Sequence, residues 1–274
     1  MTMRDAVAGA QNLSGGLLKA AGESRGLTIE EVEANVQHSL ARHEARARVS
    51  SVVSPAILVL VVLLLWEAGT RAFGVAQFLL PPPSLILLSL ITHAKLLLAN
   101  TWITAAEIAA GFMLSILIGV PLSLAIFLWP PFSRSVFPLL VSSQAMPKVA
   151  IAPLLLVWFG FGIVPKVLIA FLIAFFPVVI NTVVGLASIE REKIYLARSM
   201  GLSAGATFVK IRLPSALPSI FAGLKISITL AVVGAVVGEF VGGDSGLGYV
   251  LMVANGSMDT ALLFADLLVL TLLG

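Results

Sequence analysis

The side chains able to do chemistry in this sequence are few, and the informative ones interrupt aliphatic runs. Gln144, Met146 and Pro147 lie in SSQAMPKVAIAP, Asn181 and Thr182 break FPVVINTVVGL, and Glu239 sits in AVVGEFVGG. Polar groups at membrane depth are costly to desolvate and often mark a path for a solute. They also serve to bind helices to one another, and for these residues both readings stand. The chemistry on offer is transient, non-covalent contact with something passing. Prolines add to it, because Pro147 and Pro153 each free a backbone carbonyl that lipid cannot satisfy, which turns that face inward. Glu239 is placed either on the path or at its outer mouth, where it would repel anions. Glu67 and Glu107 fall near the ends of their runs and read as interfacial. Lys225 reads as a cation near the inner start of its run, snorkelling outward.

Bond-making chemistry has no candidates. His38, His43 and His93 are scattered, with no acidic partner at ligand spacing, so no metal site is expected. Cysteine is absent, which removes thiolate sites and disulfides. No Ser/His/Asp arrangement stands out. GGDSGLG at 242–248 looks at first like a phosphate cradle, but a P-loop needs Gly-Lys followed by Ser or Thr, and the chain contains no Gly-Lys pair. No catalytic residue, metal or cofactor is expected in this chain.

The elements that hold these residues are set by composition. Of 274 residues, 59% are hydrophobic and 11% charged, with mean hydropathy +1.06. A soluble domain carries about 25% charged residues, so lipid is the expected solvent. The net charge of +3 and pI near 9.4 report membrane sidedness, not nucleic acid. Runs long enough to span lie near 52–73, 102–129, 135–158, 165–187 and 217–241. A sixth begins near Met258 and is still apolar at Gly274, so the given sequence is expected to stop inside a helix. PPPS at 81–84 breaks the chain after the first span, and LILLSLITHAKLLLAN predicts a short amphipathic or interfacial helix before the second. The fold class is an all-α polytopic membrane protein of about six spans.

Charge assigns the sides. Arg42, Arg46 and Arg48 precede the first span, Arg134 follows the second, and Arg191, Lys193, Arg198, Lys210 and Arg212 lie between the fourth and fifth. Only Arg71, Lys95 and Lys166 fall opposite. This puts the amino terminus and residues 188–216 in the cytosol and 242–248 outside. Residues 1–50 form a separate cytosolic extension, polar and unlike a signal peptide. Thr28 and Glu31 make a capping-box pair ahead of Ile29, Val32, Val36 and Leu40 at helical spacing. We read it as a surface helix in front of the membrane-spanning region, 51–274.

The 188–216 segment is a basic island between apolar runs. Glu190 to Met200 predicts a polar helix ended by Gly201, and Ser203 caps a second helix over Ala204–Ile211. Pro214 is expected to stop that helix and Pro218 to open the next span. Leu202, Phe208, Ile211 and Leu213 would then form an apolar knob ringed by cations, shaped to enter a partner's groove.

Gly201, nine residues, then Ile211-Arg-Leu213-Pro214 resembles the signature loop of permease subunits of binding-protein-dependent ABC importers. That signature runs Glu-Ala-Ala, three residues, Gly, nine residues, Ile-x-Leu-Pro. Here its first part reads Tyr195-Leu196-Ala197, so only Ala197 is kept. ALPSIFAGLKIS, AGFMLSILIGVPLSL, MPKVAIAPLLLVWFGFG and EFVGGDSGLGYV extend the likeness over most of the chain from about residue 52. It looks most like the branch carrying nitrate, bicarbonate, aliphatic sulfonates, taurine and similar small solutes. The resemblance implies the type I importer permease fold in a bacterial inner membrane, two copies forming the passage, and a solute-binding protein outside. It also implies separate ATPase subunits, holding ATP and Mg, that dock on Ala197, Gly201, Leu202, Phe208, Ile211, Leu213 and Pro214. A transporter driven by an ion gradient, or a scaffold that moves nothing, are the alternatives. No clear internal repeat favours the former.

Overall fold

The computed structural model describes residues 57–274; the extension 1–50, with its predicted capping pair, lies outside the described residues. The chain divides into two units, Met1–Gly69 and Thr70–Gly274. An apolar helix covers residues 57–72 (α1), all but its last three residues in the first unit, with Ile57 through Leu65 all exposed. A water-soluble protein would not leave such a strip uncovered, and lipid accounts for it.

The second unit is helical. In order it contains α2 (Pro83–Thr92), α3 (Ala94–Leu128), α4 (Pro130–Ser143), a 3₁₀ turn at Lys148–Ile151, α5 (Ala152–Phe159) and α6 (Ile163–Ala187). Then come α7 (Arg191–Ser199), α8 (Ala204–Gly242), α9 (Leu247–Gly256) and α10 (Thr260–Leu273). Among the described residues α3, α6 and α8 are long and apolar enough to cross a membrane, and α4 with Lys148–Phe159 is apolar enough to count as a fourth crossing when the pair, bent by 87°, is taken as one span.

Three expectations change. The interfacial segment splits at His93: its first part is α2, while Ala94–Asn100 belong to α3, because no proline or glycine interrupts the chain between 94 and 110. The third span is not a kinked helix but a broken one, opened over residues 144–147 ahead of the extended Pro147. The fifth span starts at Ala204 instead of near 217.

The core is α6 packed between α3 and α8. Small residues line the seams, since lipid supplies no hydrophobic push and close backbone approach must supply the attraction. On α3 the buried stripe includes Asn100, Thr104, Ile108, Gly111, Ser115, Gly119 and Ser123, recurring every three or four residues. Ala170 of α6 is pinched between two glycines: a Cβ on Gly111 would lie 2.6 Å from the Ala170 Cβ, and one on Gly234 of α8 would lie 2.6 Å from the Ala170 Cα. Serines stitch the same seams. Ser115 Oγ donates to the Phe171 carbonyl at 3.3 Å, Ser123 Oγ to Val179 at 3.2 Å, and Ser227 Oγ to Ala174 at 2.7 Å.

Candidate functional site

At the 188–216 end, the turn after α7 follows directly from its residues. Gly201 has φ +80, and its N–H donates to the Arg198 carbonyl at 2.9 Å. The Leu202 N–H reaches back to the Ala197 carbonyl at 3.1 Å. These paired bonds are a Schellman C-cap, which places glycine at the left-handed position. Ala197 is buried beneath the turn. Ser203 Oγ then accepts from the Ala206 N–H at 3.3 Å and caps α8.

Beyond this point the helix does not stop. Pro214 removes an N–H, yet Phe208–Arg212 widens into a π turn in which the Leu213 N–H bonds the Phe208 carbonyl, five residues back. The helix absorbs Pro214 and Pro218 and continues to Gly242. The expected apolar knob is also redistributed. Leu202, Phe208, Ile211 and Leu213 are half-buried, whereas Tyr195, Leu196, Met200 and Val209 are at least 60% exposed. Phe208 packs near Phe127, at 6.3 Å between ring centroids, and the Arg212 guanidinium lies 4.9 Å from the centroid of the same ring. A cleft of about 590 Å³ opens here between the end of α3 and the α7–α8 turn, lined by Arg198 and Arg212 among others.

The opposite end holds a buried polar network that composition did not reveal. Glu107 on α3, Lys166 on α6 and Glu239 on α8 are all but inaccessible. Lys166 Nζ lies 3.2 Å from Glu107 Oε1. Among the described residues neither Glu107 oxygen has an aligned hydrogen bond, so the attraction is chiefly that of an ion pair. Lys166 also donates to the Ser245 carbonyl at 2.9 Å and the Ser245 hydroxyl at 3.2 Å, with Asp244 at 3.5 Å. Glu239 accepts from Thr104 Oγ1 and from the Gly248 N–H, both at 2.6 Å. The Gly246 N–H donates to Asn100 Oδ1 at 2.7 Å, and the Leu247 N–H donates to Thr104 Oγ1 at 2.8 Å. GGDSGLG is therefore a loop strapped to three helices. Gly246 must be glycine twice over: its φ is +103, and a Cβ would collide with the Glu239 carboxylate. Outside the helices, the Ser245 hydroxyl holds the exposed Asp244 carboxyl below the usual carboxylate range.

One expectation is corrected by this end: Glu107 is not interfacial but fully buried, and Lys166, read only as a cation on the outer side, is its partner. The available signal was opposite charge at matched depth, since Glu107 and Lys166 fall at the same-side ends of adjacent spans. Asp266 on α10 is a further buried acid, with neither oxygen hydrogen-bonded among the described residues.

The residues picked out for a path are not gathered in one place. Gln144 and Met146 are exposed at the break of the bent crossing, with Pro147 beside them. Asn181 Nδ2 donates to the Pro177 carbonyl at 2.9 Å, and the bare Gly223 lets α8 lie directly against Asn181. Thr182 is buried, its hydroxyl without a hydrogen-bond partner among the described residues. Glu239 belongs to the loop network. Among the described residues no cluster suited to a metal ion occurs.

Residues 111–274 match the family described as binding-protein-dependent transport system inner membrane component. The chain belongs to that family. It is 36% identical to the formylaminopyrimidine transport permease ThiX of Halalkalibacterium halodurans, over 81% of this chain and 89% of that protein. It is 32% identical to the putative aliphatic sulfonates transport permease SsuC of Bacillus subtilis, over 80% of each. A chain of the inward-facing MetNI methionine ABC transporter shares the fold, with TM-score 0.53 at 21% identity, covering 66% of this chain and 93% of that one. The chain is thus a membrane permease of the ABC importer type, related to the sulfonate and taurine branch, and an ion-gradient carrier or inert scaffold is no longer a competing reading.

Proposed function

We propose that this permease is the passage-forming subunit of an ATP-driven importer in a bacterial inner membrane. Two copies enclose the route, ATPase subunits dock on the 188–216 segment in the cytosol, and an external binding protein delivers a small anion. The observation that carries the reading is the Ala197–Leu202 cap joined through Ser203 to α8, one helix from the exposed apolar turn to the far end of the bundle. A rigid element that begins in a partner's groove and runs the full depth of the membrane is suited to convert ATPase motion into movement of the passage. Docking would use the turn at Gly201 and Leu202, which the buried Ala197 holds from beneath, with Phe208, Ile211, Leu213 and Pro214 supporting it from behind. Gln144, Met146, Pro147, Asn181 and Thr182 are proposed to face the route, and Glu239 to secure its outer loop. ATP and Mg stay with the partner.

Gly201→Val tests this reading. A β-branched residue at φ +80 is strained, and the turn it distorts is the one offered to the ATPase. The complete transporter should retain normal membrane insertion yet lose solute-stimulated ATP hydrolysis. Wild-type coupling in this variant would remove the docking role.

A further inference from the structure

Two lysines stand about midway along the long helices and have no carboxylate partner among the described residues, and neither the network nor the coupling turn uses them. Lys148 opens the 3₁₀ turn at the break of the bent crossing, and its Nζ lies 4.5 Å from the centroid of the Phe176 ring. Phe176 is at the middle of α6, thirteen residues from Ile163 and eleven from Ala187. At 1.5 Å per residue, either end of α6 is about 16–20 Å away along the axis. A lysine side chain cannot bridge that distance to water by snorkelling.

Lys225 occupies the same layer. Its neighbours on α8 fix the level: Gly223 abuts Asn181, and Ser227 donates to the Ala174 carbonyl, so Lys225 stands opposite the turn of α6 that contains Phe176. Because Gly223 and Ser227 face α6, the residue midway between them points away from it, and Lys225 is exposed on the outer side of α8. It lies twelve residues beyond Leu213, about 18 Å into the helix, and not near its inner start.

An unpaired ammonium at this depth is expensive in lipid, and such groups mark ion or substrate routes. Phe176 offers Lys148 only a cation–π contact, worth about 0.5–2 kcal/mol. That is enough to hold the side chain and weak enough to release it to an anion. The bend places exposed Gln144 and Met146 beside Lys148, so the lysine borders open space and not only packed helix.

We propose that Lys148 and Lys225 form a cationic layer midway along the passage, and that Lys148 leaves the Phe176 face to contact the anionic group of the solute. The ligand class is a small organic or inorganic anion such as a sulfonate. This rests on the importer reading and assigns it a residue-level basis for charge selection.

The test needs no identified solute, because the sequence has no cysteine. Met146→Cys in the full chain, reconstituted in proteoliposomes, is reacted with an anionic sulfonatoethyl methanethiosulfonate and with its cationic trimethylammonioethyl analogue. Each rate is normalised to the same reagent's rate on a free thiol in solution. The anionic reagent is expected to be favoured. Lys148→Gln should cut that preference roughly tenfold, as loss of one nearby charge in a partly desolvated site implies. Lys225→Gln should reduce it less, and Lys148→Arg should keep it. No preference in the parent, a preference untouched by Lys148→Gln, or a thiol that neither reagent reaches would each overturn the proposal. ATPase coupling does not enter the measurement, so the docking reading can fail while this one stands, and the reverse.

Discussion

Replacing Lys166 should injure the fold far more than replacing its partner Glu107. Glu107 is fully buried, and among the described residues both its oxygens lack aligned hydrogen bonds and Lys166 at 3.2 Å is the cation that offsets its charge. Lys166→Met leaves that carboxylate in a dry interior, and breaking a buried pair from one side costs about 3–5 kcal/mol. The reverse substitution is milder. In Glu107→Leu the ammonium keeps the Ser245 carbonyl at 2.9 Å, the Ser245 hydroxyl at 3.2 Å and Asp244 at 3.5 Å. The expected cost there is about 1–2 kcal/mol, the scale of a lost charged contact with other donors still satisfied. The double variant should be more stable than Lys166→Met alone, because it removes the stranded charge. Reversible unfolding of the purified permease in mixed micelles, titrated with dodecyl sulfate, measures all three. Equal single-variant losses, or a double variant whose loss is the sum of both, would refute the asymmetry and with it the view that Lys166 is shared between Glu107 and the loop.

The pinch at Ala170 gives a sharper steric test. Gly111→Ala meets the Ala170 Cβ and should be largely rescued by Ala170→Gly, whereas Gly234→Ala meets the Ala170 Cα and should not; the same micelle titration reads both, with about 1–3 kcal/mol expected for each unrescued variant. Sidedness can be read from a single cysteine at the exposed tip of the strapped loop. Asp244→Cys should react with a membrane-impermeant maleimide added outside intact cells, and labelling confined to inverted vesicles would reverse the orientation.

What the sequence disclosed and what it hid divide along physical lines. Spans are a property of one segment, so composition and length located the second and fourth, and the glycine turn at 201 was legible because few residues adopt φ +80. The Ser203 cap was legible for the same local reason. Proline was misleading wherever the backbone had another way to bond. Pro214 and Pro218 read as punctuation, but a π turn at Phe208–Arg212 keeps α8 continuous, whereas Pro147 accompanies a complete break with no widened turn. Nothing within four or five residues distinguishes these cases. The buried network was hidden for a different reason. Thr104 and Glu239 are 135 residues apart, Asn100 and Gly246 are 146 apart, and Asn100, Thr104 and Glu239 each look alone like an ordinary polar residue near a span end.

The continuity of α8 changes the meaning of both ends. Had Pro214 ended a helix, the Gly201 turn would join the bundle through a loop, and movement of the turn would dissipate there. Instead the 39 residues Ala204–Gly242 form one helix, irregular at Phe208–Arg212 and clamped at its far end by Glu239. Packing against α6 holds its middle through bare glycines, where a displacement of even one methyl group is resisted by backbone atoms. A push at Gly201 therefore has few places to be absorbed short of the strapped loop. The π turn is one of them, because its widened bonds are poorer than the α bonds on either side. Arg212 against Phe127 braces that turn from the α3 side. The weakest stretch of the helix thus lies beside the segment proposed to receive the ATPase, and the stiffest lies where bare glycines press it against α6.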